Sequence, residues 1–312
     1  MTKYGFLDGL TQLKTENLLG KLCVALYFVA LVLLRGRMAL ENQWFQGLVD
    51  LEAYPILDLE NRKIKEVISR AKCQLDQLGA AEMTGFLTPH GVKKLTEESV
   101  QMEQSAYWNA LTGNAYLDEP EASLPENHIR RWTESTSLGA VGYDQFPEHF
   151  LLRRIYEWEP FMNFIREVLS LPKLYRYADP MGALNLSVMK KGDYLRWHFD
   201  QSDFVTSLAV RNSEVGGEFE YAPRIRSPKN ENYEDVGKLL KGDRTKVVTI
   251  PNHPGTLLVF QGRYSIHRVT EIQGETSRLI GLFGYADEPG VMSSDYLRKI
   301  RYGRTSPLKQ GI

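Results

Sequence analysis

The chain has 312 residues, of which 43% are hydrophobic and 25% charged, and it shows neither a 20–50-residue repeat nor a low-complexity tract. It is long enough for a sizeable core, and a formal net charge of −1 gives no overall reason to expect a nucleic-acid partner. Two cysteines, Cys23 and Cys73, exclude a framework of several disulfides and indicate a reducing compartment, so we expect a cytoplasmic protein.

An unbroken apolar run occupies residues 22–34, with basic residues on both sides. It is shorter than the roughly 20 residues that span a bilayer, and no small-residue cleavage pattern follows it. Three interpretations of the N-terminal extension, residues 1–50, stay open. The run is an anchor that makes the protein membrane-associated, a buried apolar helix, or a segment that the rest of the protein does not need, followed by an alternative start at Met38.

The helical periodicity begins after this extension. Apolar residues recur at helical spacing over residues 61–78 and predict an amphipathic helix that Gly79 can close. A short strand is predicted over residues 80–83, and a second helix over residues 89–102.

Residues 105–148 are rich in proline, asparagine, glutamate and aromatic side chains, which predicts a segment that is largely loop. Another amphipathic helix follows over residues 159–171, and Pro172 ends it. We therefore expect a helical support region over residues 51–178.

After Asp179 the period changes to that of short strands separated by turns. The predicted strands cover residues 183–189, 204–210, 217–221, 246–250, 256–260, 267–272 and 278–285. Many short strands at near-regular spacing predict a jelly roll of two sheets over residues 179–290. The fold class is therefore α+β, with N-terminal helices that buttress the sheet from outside. The polar residues 224–243 form a lid or a surface insertion, and residues 291–312 a C-terminal tail.

One extended segment carries two metal-binding side chains. Side chains alternate along a strand, so His198 and Asp200 project to the same side. His267, near the start of a later strand, supplies a third ligand if the two strands are neighbours. Two histidines and one carboxylate leave three positions of an octahedral metal open, as in non-haem Fe(II) oxygenases. A lone His-x-Asp is a weak signal, and a hydrogen-bonded histidine beside an aspartate is its ordinary alternative.

Arg278 opens the apolar strand of residues 279–283, so its side chain would enter a hydrophobic barrel. A buried arginine is costly unless a carboxylate pairs with it, and the planar guanidinium suits a bidentate carboxylate. The alternative is an arginine at the start of a strand that leans into solvent.

As a set, His198-x-Asp200, His267 and Arg278 resemble the 2-oxoglutarate/Fe(II) dioxygenase superfamily, with Gly217-Glu218-Phe219 and a strand opened by Pro254-Gly255 between them. The resemblance covers roughly residues 179–289. It implies a double-stranded β-helix in which Arg278 binds the distal carboxylate of 2-oxoglutarate. Fe(II) would be the cofactor, with 2-oxoglutarate and dioxygen as cosubstrates.

A closer resemblance, over roughly residues 51–289, is to the HalD/BesD group of radical halogenases and hydroxylases of free amino acids. The motifs that carry it are Tyr54-Pro55-Ile56, Gly85-Phe86-Leu87, His198-x-Asp200-x-Ser202-Asp203-Phe204 and Gly216-Gly217-Glu218-Phe219. The halogenases of this group have glycine where this chain has Asp200, which opens a coordination position for halide. The resemblance therefore implies hydroxylation, desaturation or cyclisation of a substrate and no halogenation.

Several residues near these motifs are predicted to line the ligand pockets. Tyr194 and Asn185, which flank the metal strand, are candidates for the cosubstrate pocket. The candidates for substrate contact are Gln201, Asp203, Trp197 and Arg224. Aromatic packing, turn capping and simple solvent exposure are the alternatives at these positions.

The leading hypothesis is an Fe(II)- and 2-oxoglutarate-dependent oxygenase that acts on a free amino acid or a similar small polar metabolite. Two alternatives stay open, a protein or peptidyl side-chain hydroxylase and a non-catalytic jelly-roll binding module. The partner is then a small-molecule substrate and not a nucleic acid.

Overall fold

A computed structural model of the chain describes residue 36, residues 39–117 and residues 123–308. The apolar run at residues 22–34 lies outside these residues. The chain divides into two compact units, residues 1–46 and residues 47–312. In the first unit, residues 39–44 are helical. No helix within the described ranges has the length and apolar character needed to cross a membrane.

The second unit contains six helices and thirteen short strands within the described residues. The helices are α1 (Arg62–Leu78), α2 (Pro89–Met102), α3 (Leu151–Glu157), α4 (Glu159–Val168), α5 (Tyr233–Leu240) and α6 (Asp295–Tyr302). The strands are β1 (Ala80–Met83), β2 (Tyr107–Gly113), β3 (Glu134–Gly142), β4 (Tyr175–Arg176), β5 (Leu184–Met189), β6 (Leu195–His198), β7 (Val205–Arg211), β8 (Phe219–Ala222), β9 (Val248–Ile250), β10 (Leu257–Phe260), β11 (Ile266–Val269), β12 (Arg278–Phe283) and β13 (Tyr285–Ala286).

Two antiparallel sheets form the core. The larger sheet has seven strands in the order β1-β10-β7-β12-β5-β3-β2, and the smaller has four in the order β6-β11-β8-β9. Met189 on the larger sheet packs against Val269 on the smaller sheet and against Ile272. This contact fills the barrel interior between the two sheets. The predicted α+β fold with a jelly roll, or double-stranded β-helix, is confirmed.

Helices cover the outer face of the larger sheet. A Cβ at Gly281 of β12 would overlap Leu152 of α3, so the helix lies directly on the strand at this glycine. Next to it, the rings of Phe161 in α4 and Phe283 in β12 have centroids 5.2 Å apart. The predicted role of the helices as a buttress outside the sheet is confirmed. The helix predicted at residues 61–78 is also confirmed, with Asn61 as its cap.

The prediction that residues 105–148 are largely loop is wrong. This range contains β2 and β3, which pair from Tyr107↔Ala140 to Gly113↔Glu134 and add two strands to the larger sheet. Their sequences are rich in serine, threonine, glycine and alanine, so their alternation carries little hydrophobic contrast. Pairing with β5 places them in the sheet, and strand propensity depends strongly on such a context. The predicted support region therefore shares its sheet with residues 179–290.

Residues 224–243 form a surface insertion. Within it, α5 buries Val236 and Leu239 against Trp197 and Phe199 on the outer face of the smaller sheet. The helix therefore covers the back of this sheet.

The segment predicted as a tail also contains a helix. In α6, Arg298 pairs with Asp179, and Tyr302 packs against Ala140 and Met181. The end of the chain is therefore fastened to the inner face of β3, because Ala140 lies opposite the inward-facing Ser187 of β5.

Candidate functional site

His198, Asp200 and His267 converge at one end of the barrel. The two histidines are direct partners in the β6–β11 pairing, and their ring centroids lie 4.1 Å apart. The carboxylate of Asp200 reaches both rings, with 3.8 Å from Oδ1 to His198 Nε2 and 3.6 Å from Oδ2 to His267 Nε2. One ligand atom from each residue lies within 4.8 Å of the others, so a single ion can contact all three.

Hydrogen bonds to the backbone orient both imidazoles. Nδ1 of His198 lies 2.9 Å from the carbonyl oxygen of Arg196, and Nδ1 of His267 lies 3.0 Å from that of Ser265. A ring that donates from Nδ1 presents the lone pair of Nε2 to the site, which is the form that binds a metal. Burial lowers the pKa of His198 to about 3 and that of His267 to about 4, so both rings are neutral at pH 7.

Asp200 is held against the loop before β11. Its backbone N–H donates to the carbonyl of Gly262, 3.1 Å away, and a Cβ at residue 262 would overlap the Asp200 carboxylate. Oδ2 of this carboxylate is buried and has no hydrogen-bond partner. Burial raises the pKa of Asp200, while the charges of His198 and Arg301 act in the opposite direction.

These observations fit a divalent iron ion. A buried carboxylate oxygen without a partner is costly, and a cation between it and the two Nε2 atoms would satisfy it. Two imidazoles and one carboxylate are the donor set of non-haem Fe(II) sites, and they leave coordination positions open. Within the described ranges, this is the one group of histidine, cysteine, aspartate and glutamate side chains placed to hold a metal.

Aromatic side chains wall the site on the side of His267. The ring of Phe260 lies 4.8 Å from that of His267, and the ring of Phe219 lies 5.6 Å away. Tyr221 packs edge-on against Phe260 at 5.4 Å. This wall is apolar, which keeps water away from one side of the ligand atoms.

Arg278 enters the barrel interior. It lies opposite Met189, which packs between the sheets, so its side chain points inward and not into solvent. The residue is 5% exposed, and its guanidinium makes no ion pair or hydrogen bond with any residue that the structure describes. Burial lowers its pKa to about 10, which leaves it a cation at pH 7. Gly217 makes room for it, since a Cβ there would lie 3.1 Å from Arg278 Cδ.

Asn185 shares the inner face with Arg278. It lies opposite Leu282, two positions along the face from Ile280 and four from Arg278, and it is buried. The same register brings Ser187 and Ser207 to this face, beside Ile280 and Leu282. Sequence reasoning missed both serines. Their signal is the alternation of β5 and β7 relative to Arg278, which is visible only once the strand pairing is known.

Two aromatic candidates lie elsewhere. Trp197 neighbours His198 along β6 and therefore points to the opposite face, where it packs with Phe199 and α5. Tyr194 lines a cleft of about 410 Å³ that also includes Trp197 and Arg268. The structure thus separates Trp197 from the iron ligands, against the predicted substrate contact.

The polar candidates have partners within the protein. Asp203 forms an ion pair with Arg263, which also donates to the carbonyl oxygen of Gln201. The guanidinium of Arg224 donates to the carbonyl oxygen of Asp76 at the C-terminal end of α1, 2.6 Å away. This contact favours a structural role for Arg224, because a cation stabilises the negative end of a helix.

The C-terminal helix contributes residues that the sequence did not point to. The carbonyl oxygen of Ile300 in α6 accepts a hydrogen bond from Asn109 on β2, 2.7 Å away. The next residue, Arg301, lies near enough to Asp200 and Tyr177 for its charge to oppose the effect of burial on the pKa of both. Tyr177 and Arg301 therefore lie within electrostatic range of the ligand cluster.

Comparisons with known proteins give a family and a fold for the chain. The sequence profile of the halogenase D (HalD) family matches residues 134–296, just over half of the chain. Among solved structures, the epimerase SnoN from nogalamycin biosynthesis in complex with Fe³⁺, alpha-ketoglutarate and nogalamycin RO has a TM-score of 0.53 at 13% identity, over 79% of this chain and 95% of that one. Another SnoN structure, described as a non-haem alpha-ketoglutarate-dependent epimerase, has a TM-score of 0.50 at 13% identity, over 72% and 83%. These structures show the same fold. No curated protein matches the sequence.

Proposed function

The chain belongs to the halogenase D family of Fe(II)- and 2-oxoglutarate-dependent oxygenases, and from this membership we propose that it hydroxylates, desaturates or cyclises a free amino acid or a similar small polar metabolite. The observation that carries the proposal is the pairing of a two-histidine, one-carboxylate cluster with an unpaired buried arginine in the same barrel. Each half of this arrangement is expensive without its ligand, and the two ligands of this enzyme class satisfy both halves.

We assign the roles as follows. His198, Asp200 and His267 hold Fe(II), and Arg278 binds the distal carboxylate of 2-oxoglutarate through its planar fork. Asn185 lines the cosubstrate pocket, since it lies on the same inner face. All five residues fall within residues 179–290, the range that we assign to the catalytic domain.

Bound iron would supply the activation of dioxygen, coupled to the decarboxylation of 2-oxoglutarate to succinate, and so the oxidising power for a substrate C–H bond. The protein contributes position and environment. The carbonyl groups of Arg196 and Ser265 hold the proton on Nδ1 of each histidine, so that Nε2 stays a ligand. Phe219 and Phe260 keep one side of the site apolar, and a charge–charge contact is stronger where water is excluded.

Asp200 is the residue that argues against halogenation. A carboxylate at this position fills the place that glycine leaves to halide in the halogenases that this group includes. With the carboxylate buried and directed between both histidines, we expect an oxygenated or dehydrogenated product. Substrate halogenation would require Asp200 to leave the cluster.

The test is incubation of the full chain with Fe(II), 2-oxoglutarate and air, together with a panel of free amino acids, and mass analysis of the products. We expect one or more members of the panel to gain an oxygen atom or lose two hydrogen atoms, with succinate formed in step. His198→Ala and the omission of 2-oxoglutarate are the controls. A parallel arm contains peptides in place of free amino acids, and another contains excess chloride and bromide.

Two outcomes would contradict the proposal. Modification of the peptides and of no free amino acid would replace the small-molecule substrate with a peptidyl one. A halogenated product from the unmodified protein would overturn the role that we give to Asp200.

A further inference from the structure

The polar cleft that Tyr194 lines runs along β6. It measures about 410 Å³, and the residues that surround it come from β6, from the end of β11 and from the start of β3. Trp197 and Arg268 belong to it, and Trp197 packs on the outer face of the smaller sheet. Arg278 and the three iron ligands are not among the residues that line the cleft.

Arg196 is the unusual residue of this cleft. It is only 9% exposed, and its side chain has neither an ion pair nor a hydrogen bond with any residue that the structure describes. Its Nε is fully enclosed and without a partner. Nη2 lies close against the end of β2, where a Cβ at Gly113 would be 2.6 Å away.

A second arginine in the same cleft provides the contrast. Arg268 is bound by Glu220, with 2.6 Å between Nε and Oε2, and it stacks on Trp197 at 4.8 Å. Its charge is satisfied within the protein. Among the described residues, no carboxylate forms an ion pair with Arg196; the charge of Glu134 acts on it from farther away, and burial still lowers the pKa of the guanidinium. A ligand that enters the cleft can therefore supply the missing anion.

The rest of the lining narrows the chemistry of this ligand. Two carboxylates, Glu134 and Glu271, share the cleft with Arg196 and with the hydrogen-bonding side chains of Ser135 and Tyr194. Two glutamates disfavour a phosphate with more than one negative charge, since like charges repel at short range. They favour a ligand whose carboxylate is accompanied by an ammonium group.

We propose that this cleft is a binding site for a small zwitterion, whose carboxylate is bound by Arg196 and whose ammonium group faces Glu134 and Glu271. Arg196 offers a bidentate fork to the carboxylate, and the glutamates set the preference over simple anions. Its lining includes neither Arg278 nor an iron ligand, so the site stands independently of the proposed reaction.

The experiment measures thermal unfolding of the full-length, metal-free protein without 2-oxoglutarate. The probes are glycine, acetate, methylammonium and inorganic phosphate, each at about 50 mM and at constant ionic strength. We expect glycine to raise the unfolding midpoint by about 2 °C, acetate to raise it less, and the other two probes to leave it unchanged. A midpoint that no probe moves, or that phosphate raises most, would overturn the proposal.

Variants of the cleft and of the cosubstrate pocket show which of the two sites binds glycine. Arg196→Gln should abolish the effect of glycine, whereas Arg278→Gln should preserve it. The reverse pattern would place the probe in the cosubstrate pocket and refute the cleft as a site. If Arg196→Gln does not fold, Glu134→Gln provides the decision, because loss of a partner for ammonium should bring the effect of glycine down to that of acetate. An unchanged advantage of glycine in Glu134→Gln would count against the proposal.

Discussion

Two regions of this protein differ in whether their buried charges have partners within the chain. Where α6 joins the barrel, Nε of the buried Arg298 lies 3.2 Å from Oδ2 of Asp179. Asp179 also accepts hydrogen bonds from the backbone N–H groups of Met181 and Ser293, each 2.9 Å away. Burial acts to raise the pKa of Asp179, but its hydrogen bonds outweigh this effect, and its pKa is lowered. In this region the buried charges form ion pairs within the chain, although Nη2 of Arg298 has no hydrogen-bond partner.

At the end of the barrel that contains the iron ligands, buried charged groups lack such partners among the described residues. Arg278 is as buried as Arg298, yet no carboxylate of the described residues reaches it, and Oδ2 of Asp200 is enclosed without a hydrogen bond. Burial without a partner costs free energy, and a ligand that provides the partner offsets this cost. In this protein a paired buried charge fastens the chain, whereas an unpaired one indicates a ligand site.

Removal of an iron ligand should have the largest effect. We expect His198→Ala to abolish 2-oxoglutarate turnover and to lower Fe(II) affinity beyond measurement, because one of three protein ligands is lost. The metal-free variant should stay folded, with at most a modest fall in its unfolding midpoint, because the backbone pairing of β6 with β11 does not depend on the imidazole. Succinate assay, metal titration and thermal unfolding test this expectation. Fe(II) binding that survives the substitution would show that the ligand set is wrong.

The paired region should lose stability instead of activity. Arg298→Gln leaves Asp179 buried without its cation, so the free energy of unfolding should fall by about 3–5 kcal/mol. The control is Arg62→Gln, which breaks an ion pair with Glu66 in which the two side chains are 93% and 64% exposed. This change should alter the free energy of unfolding by less than about 1 kcal/mol. Chemical denaturation measures both. Equal losses in the two variants would remove the distinction between buried and exposed pairs.

Arg278 should show the opposite pattern from Arg298. Arg278→Gln removes a cation without leaving an unpaired carboxylate, so the metal-free protein should be at least as stable as the unmodified one. Its affinity for 2-oxoglutarate should fall by about 2–5 kcal/mol, or roughly 30- to several thousand-fold. Titration of the cosubstrate, with Arg278→Lys as the variant that retains the charge, tests this. Unchanged affinity would mean that another cation binds the cosubstrate.

A smaller effect is expected at Gly262. A Cβ there would overlap the Asp200 carboxylate, so Gly262→Ala must displace this ligand. We expect Fe(II) affinity to fall on the order of 10–100-fold, as for other residues that position a metal ligand. Gly192→Ala is the control, because this turn glycine has positive φ but no atom near its missing Cβ, so only stability should fall. Equal iron affinity in both variants would show that Asp200 adapts.

Local patterns in the sequence were enough to predict the metal cluster and the barrel. The alternation of a strand places His198 and Asp200 on one side wherever the strand lies, and short strands between turn residues indicate a jelly roll without knowledge of their pairing. An arginine ahead of an apolar strand likewise predicts a buried charge at Arg278. These inferences depend on neighbours within a few residues.

The other residues of the site were found from the fold, because their positions depend on partners far along the chain. Pairing with β5 makes strands of β2 and β3, whose own sequences carry little hydrophobic contrast. The packing of α5 draws Trp197 to the outer face, and the end of α1 takes up the charge of Arg224. The same long-range contacts bring Arg301 of α6 within electrostatic range of Asp200 and leave Arg196 without an ion pair among the described residues. Such contacts follow from strand order and register, which no local pattern specifies.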